Sequence, residues 1–217
     1  MKNKIQKKKP KNIIDKILNV DPEEVLAKEL TQKFGDRFTE YRSNYNKIID
    51  DFSHNHFFDY PLTVNLELVN RCNLECVMCH QEYRNDAKTF FINEKMLDKL
   101  FADFEHNKLP ALMLSISEPL LFKNIKLVLD RAKKANIMDI FLFTNGALLD
   151  EKKSEMILNS GITRVFISLD AMSQKTYNDV RVPVSKRLLT ENRLDYVENN
   201  IKKLIELRNK QKKNLPL

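Results

Sequence analysis

The hydrophobic positions change rhythm near Pro61. Before it the spacing is helical: Ile13, Ile14, Ile17 and Leu18 form a short amphipathic stretch, and Leu26, Leu30 and Phe34 recur at every fourth residue. Phe38, Tyr41, Tyr45, Ile48, Ile49 and Phe52 then keep one apolar face, a stripe expected to pack on the neighbouring domain. Asp21-Pro22-Glu23-Glu24 reads as a cap, a proline at the first helical position and acids in the first turn, and Gly35 reads as a stop. After Pro61 short runs at 63–69, 111–116, 140–144 and 163–170 read as strands, the first and last of them alternating. Helices are expected between them, opening at Asn93, near Ile125 and at Asp150, with a long last helix over 188–209.

Alternation of strands and helices predicts a parallel sheet. The expected fold class is therefore α/β, a partial (β/α) TIM-like barrel behind an N-terminal helical extension. The expected division is 1–60 for a basic tail and the helical extension and 61–217 for the core. At about 31 residues per unit of a complete barrel the core has room for about five units, and the pattern shows four and a stub in which Leu215-Pro216-Leu217 starts a fifth strand. Functional groups of such a series belong at the strand C-termini.

Charge changes this picture little. The net charge of +7 suggests nucleic acid, but residues 1–11 carry six lysines and no acid, and 202–213 carry six basic residues against Glu206. The stretch between these tails is net acidic, so no dedicated nucleic-acid site is expected. No apolar run approaches the ~20 residues of a membrane span, and no apolar segment follows the basic N-terminus as in a secretory signal. All three cysteines fall within eight residues. An odd, clustered set reads as a reduced, cytoplasmic protein with a metal or redox site.

The first strand runs into Cys72-Asn73-Leu74-Glu75-Cys76-Val77-Met78-Cys79-His80. Three soft thiolates on one loop suit an iron–sulfur cluster, zinc or Cu(I). A four-iron cubane leaves one iron without a protein ligand, an open position able to activate a small molecule. Cys3His with His80 instead closes a structural zinc site. Further along stand Ser115-Ile116-Ser117-Glu118-Pro119-Leu120-Leu121, Phe143-Thr144-Asn145-Gly146, Ile167-Ser168-Leu169-Asp170 and Thr176-Tyr177-Asn178-Asp179-Val180-Arg181. Each follows or closes an expected strand.

Taken in order, these segments resemble the radical S-adenosylmethionine (radical SAM) superfamily over about residues 62–185. The resemblance implies that Cys72, Cys76 and Cys79 ligate a [4Fe–4S] cluster, that SAM chelates the fourth iron, and that one electron cleaves SAM to methionine and a 5′-deoxyadenosyl radical. It implies SAM contacts from Met78, where the family usually has an aromatic residue near the adenine, from Ser117 and Glu118, and from Ser168 and Arg181, the last toward the SAM carboxylate. Ile116 and Ser117 stand where the family usually has two glycines. The implied partners are a reductant protein as electron donor, a substrate the sequence does not name, and a completing chain or second copy, since the family core commonly has six units. The chain therefore reads as the truncated front part of a radical SAM enzyme core. The competing reading is a catalytically incomplete cluster-binding remnant or interaction module. Asn65 and Glu67 face the lumen by alternation without an assigned role; His54, His56 and His106 read as bystanders.

Overall fold

The computed structural model describes residues 22–50, 58–80, 88–185 and 191–217. The expected helical stretch at 13–18, Asp21, Phe52, His54, His56 and residues 188–190 lie outside the described residues. Two helices come first, α1 (Pro22–Phe34) and α2 (Asp36–Asp50). Pro22 and the acids Glu23 and Glu24 occupy the first turn of α1, and Gly35, at φ 58°, makes the break that a left-handed residue permits.

Four parallel strands follow in the order β1 (Thr63–Leu66), β2 (Ala111–Leu114), β3 (Asp139–Thr144) and β4 (Arg164–Ile167). Thr63 pairs with Ala111, Ala111 with Asp139, and Phe141 with Arg164. The connecting helices are α3 (Glu94–His106), α4 (Ile125–Lys134) and α5 (Glu151–Ser160); α6 (Gln174–Val180) and α7 (Arg193–Lys210) follow β4. Asn93 and Asp150 cap α3 and α5 by accepting from the N–H groups of Met96 and Lys153, and Gly161 ends α5 at φ 89°.

The two faces of the sheet have different work. Val64, Leu66, Leu112, Leu114, Ile140, Leu142, Val165 and Ile167 meet the outer helices in a core with Leu97, Phe101, Val128, Leu129, Ile157 and Leu204. The other face meets α1 and α2: Ala111, Met113, Phe141 and Phe143 pack with Leu26, Leu30, Phe38 and Tyr41. The fully buried Asp139 is held there by Arg164 at 3.2 Å, and Arg164 also reaches Glu23 at 3.3 Å and lies over the Phe141 ring. A floor of helix thus covers the N-terminal part of the inner face and leaves the C-terminal strand ends for a cavity.

Several elements differ from the sequence expectation. Strand β1 ends at Leu66, and β2 and β4 are shorter than expected where the chain turns: Ile116 (φ 81°) and Asp170 (φ 56°) take left-handed conformations just beyond them. The last helix begins at Arg193, since residues 191 and 192 form a turn. In α2 only the first half of the stripe packs; Phe38 and Tyr41 are buried whereas Tyr45 and Ile49 are exposed. The short α6, capped by Ser173 on the Thr176 N–H, was not anticipated. Leu217 donates to the Thr163 carbonyl and accepts from the Val165 N–H, both at 2.9 Å, which is the parallel register of a fifth strand on β4. Among the described residues no helix is long and apolar enough to cross a membrane.

Candidate functional site

The cysteine loop has no regular structure of its own and is held from outside. Glu75 N–H donates to the Val182 carbonyl at 2.6 Å, Val77 N–H to Val180 at 3.1 Å, and Val184 N–H to Asn73 at 3.1 Å, while Leu74 bridges antiparallel to Pro183. The segment after α6 is therefore a strap across the loop. Arg193 at the start of α7 anchors that strap by donating to the carbonyls of Asn178 (2.8 Å) and Arg181.

All three thiols are free and border one cavity of about 500 Å³, together with Met78, His80, Ser115, Ile116, Ser117, Glu118, Phe143, Thr144, Asn145, Ser168, Asp170 and Arg181. Cys72 Sγ receives the Leu74 N–H at 3.4 Å and the Asn145 amide at 3.6 Å, and Cys76 Sγ receives Arg181 Nη1 at 3.4 Å. Burial pushes the Cys72 thiol up to about 11 against the Leu74 and Asn145 donors, and the nearby Glu118 and Cys76 charges push the same way. Burial also raises Cys76, with the Arg181 guanidinium opposing it. Without a cation these sites favour the thiol; a bound metal favours the thiolate and releases the protons.

The strand ends supply the rest of the wall. Glu118 is buried, and burial raises its pKa while three hydrogen bonds pull it down. Its carboxylate accepts from Thr144 Oγ1 (2.9 Å), Asn145 N–H (2.9 Å) and Leu120 N–H (3.2 Å), which locks the end of β2 to the end of β3. Ser115 and Ser117 donate to Asn65 (2.8 Å) in β1 and to Glu67 (2.7 Å) just beyond it, tying the two strand ends together. Ser168 N–H donates to the Thr144 carbonyl at 3.0 Å, and Phe166 stacks on Phe143 with centroids 4.5 Å apart. Arg181 is buried, paired with Asp170 by Nη2 and with Cys76 by Nη1.

The cavity thus gathers the residues expected to touch the cluster or SAM: Cys72, Cys76, Cys79, Met78, Ser117, Glu118, Ser168 and Arg181 all line it, whereas Asn65, Glu67 and His106 do not. Sequence reasoning assigned nothing to Asn145 or Asp170, which touch Cys72 and Arg181. The Thr-Asn-Gly motif was the signal for Asn145; Asp170 carried only the strand-face argument. His54 and His56 lie outside the described residues. His80 is exposed at the cavity wall.

The donor set fits a cubane cluster: soft thiols, each of Cys72 and Cys76 facing a hydrogen-bond donor, beside a cavity large enough for a small cofactor. Among the described residues no three His, Cys, Asp or Glu side chains close on a single ion position. A cubane does not require that closure, because each thiolate takes a different iron; a Cys3His zinc site does.

Comparison with known proteins agrees with this geometry. The family model described as the Radical SAM superfamily matches residues 66–215. Among curated proteins, a probable GTP 3′,8-cyclase of Methanococcus maripaludis is 29% identical over 142 residues, which is 65% of this chain and 45% of that protein. The protein of the same name from Pyrococcus horikoshii is 30% identical over 151 residues, 69% of this chain and 45% of its own length. The chain spans less than half the length of these relatives. Of solved structures, BtrN in complex with AdoMet and 2-DOIA aligns with TM-score 0.50 and 19% identity over 54% of this chain and 49% of that one. Streptococcus suis SuiB bound to precursor peptide SuiA aligns with TM-score 0.51 and 15% identity over 80% of this chain and 41% of that one. At such identities the structural likenesses speak for the fold, a partial (β/α) barrel. With that family model matched over residues 66–215, the chain belongs to the radical SAM superfamily.

Proposed function

We propose that this chain holds a [4Fe–4S] cluster on Cys72, Cys76 and Cys79, binds SAM in the adjoining cavity, and forms the core of an enzyme that cleaves SAM reductively. The observation that carries the reading is that the three free thiols of one loop share a single cavity with Ser168 and the Thr144-Asn145 strand end. When bound, the cluster and SAM together supply one-electron chemistry that generates a radical able to abstract hydrogen from a substrate. The protein's part is positioning. Glu118 fixes Thr144 and Asn145, Asn145 and the Leu74 N–H point donors at Cys72, and Ser168 offers a hydroxyl beside the Phe143–Phe166 stack. Met78, Ile116 and Phe143 give the cavity an apolar part to its wall. Such chemistry needs a one-electron donor, here a reductant protein, and a reducing, cytoplasmic setting. The matched segment carries the cofactor motifs, so the reading commits to cofactor chemistry and not to the relatives' nucleotide substrate.

A second reading, cluster binding without turnover, is favoured by Ile116. It holds a strained left-handed backbone and presents a branched side chain to the cavity where the family usually has glycine. One experiment separates the two. The protein is reconstituted anaerobically with iron and sulfide, reduced with dithionite, and assayed for 5′-deoxyadenosine by mass spectrometry beside Cys76→Ala. Product that depends on Cys76 supports the enzyme. A four-iron cluster without product supports the second reading, and about one zinc without acid-labile sulfide overturns both.

A further inference from the structure

We infer that Arg181 acts on the cluster loop itself, as a positioning residue that donates to the Cys76 sulfur and sets the electron affinity of the bound cluster, with Asp170 as its counter-charge. The inference rests on the cluster reading above and gives Arg181 a different partner from the SAM carboxylate that the family resemblance implies.

The geometry is specific. Arg181 is the C-cap of α6, and its N–H donates to the Tyr177 carbonyl at 2.8 Å, so its backbone is fixed by the helix end. The neighbouring residues Val180 and Val182 hydrogen-bond to Val77 and Glu75, one on each side of Cys76, which brings the guanidinium against that cysteine by main-chain geometry. Nη1 then reaches Cys76 Sγ at 3.4 Å, and Nη2 pairs with Asp170. Both arms of the fork are taken by protein groups, and Nε is buried without an acceptor. Asp170 holds its place in a left-handed conformation, φ 56°, that brings its carboxylate back over Arg181. Arg193 donates to the Arg181 carbonyl and completes the support.

A guanidinium stays charged at any ordinary pH. Placed at a ligating thiolate, one donor and one positive charge stabilise the more negative, reduced cluster; a carboxylate on the far side of the guanidinium partly cancels that charge. Removing the two partners should therefore move the cluster in opposite directions, which neither a loss of packing nor a SAM contact would do.

The test is an anaerobic redox titration of the reconstituted 217-residue chain, followed by electron paramagnetic resonance, without SAM. A hydrogen bond to a charged group changes an equilibrium by about tenfold or more, so Arg181→Gln is expected to disfavour reduction by about tenfold, about 59 mV for a one-electron couple. Arg181→Lys, which keeps the charge, should fall between Gln and wild type, and Asp170→Asn should shift the potential upward. Wild-type potentials in Arg181→Gln and Asp170→Asn, with weaker SAM binding only, would overturn the inference and return Arg181 to the carboxylate. Should Arg181→Gln hold no cluster, Asp170→Asn decides: an upward shift supports the inference and an unchanged or lowered potential overturns it. A wild-type chain that takes up no four-iron cluster, seen by iron and sulfide content before any titration, overturns the cluster reading and this inference with it.

Discussion

The Glu118 carboxylate accepts the Asn145 backbone N–H at 2.9 Å from within the core, so the residue that points its amide at Cys72 is held by an acid from the neighbouring strand end. Glu118→Ala leaves three donors, those of Leu120, Thr144 and Asn145, without an acceptor. It should cost about 2–4 kcal/mol in urea unfolding and lower cluster uptake. A cost within about 0.5 kcal/mol, the usual range of a surface change, would remove Glu118 from this role.

The same residue predicts a pH dependence. Burial lifts the folded pKa of Glu118 above its ordinary value, so the native state binds this proton more tightly than the unfolded chain. Its contribution is fully present below the ordinary carboxylate pKa and is lost as pH rises through the raised folded value. Glu118→Gln cannot titrate. The stability gap between wild type and Glu118→Gln should narrow with rising pH across that window, as read from urea midpoints; a widening gap would contradict the assignment.

Ile116 carries φ 81°, a conformation that costs a branched residue about 1–2 kcal/mol. Ile116→Gly removes that cost and adds back some chain entropy. A net gain of about 1 kcal/mol is expected by thermal or urea unfolding. The same variant reopens the cavity wall, so 5′-deoxyadenosine yield should rise if Ile116 hinders SAM.

Two glycines offer an internal control. Gly146 (φ 74°) would place a Cβ 2.9 Å from Val197 Cγ1 and 3.2 Å from Ile167 Cγ2, whereas Gly161 (φ 89°) meets nothing within 4 Å. Gly161→Ala should cost about 1–2 kcal/mol of backbone strain alone. Gly146→Ala adds overpacking of about 1–3 kcal/mol and presses α7 away from the strand end. Equal costs would mean that α7 does not pack where described.

In the metal-free chain Cys72 ionises only near its raised value of about 11. Because the thiolate is the nucleophile, peptide-resolved alkylation by iodoacetamide should be slow at pH 8 and climb steeply toward pH 11. Cluster loading should abolish it throughout, and rapid labelling of the apo chain at pH 8 would refute the buried environment.

What could be read from the sequence was local. The caps at Asn93 and Asp150 and the stops at Gly35 and Gly161 are written in single residues, and the outer face of the first and fourth strands follows from alternation in Val64, Leu66, Val165 and Ile167. The cysteine spacing announced a soft-metal loop without any structure. The strand ends did not follow: Ile116 turns with positive φ although its branched side chain argues against it, and Asp170 tolerates that conformation without announcing it. The partners of the thiols were hidden for a different reason: Asn145 and Arg181 lie 73 and 105 residues from the sulfurs they touch, and no periodicity links positions so far apart. Helix α6, seven residues long, is too short to display a period at all.

The strap across the cysteine loop also imposes a timetable. The three thiols are synthesised first, but the backbone that shapes their loop, Val180 to Val184, follows about a hundred residues later. At a translation rate of 5–20 residues per second, the 105 residues between Cys76 and Arg181 take roughly 5–20 s to appear. Throughout that interval the cysteines are accessible to oxidants and stray metals without the loop that selects among them. Orderly metallation therefore has to wait for the strap, and whatever guards the nascent thiols must act before it arrives.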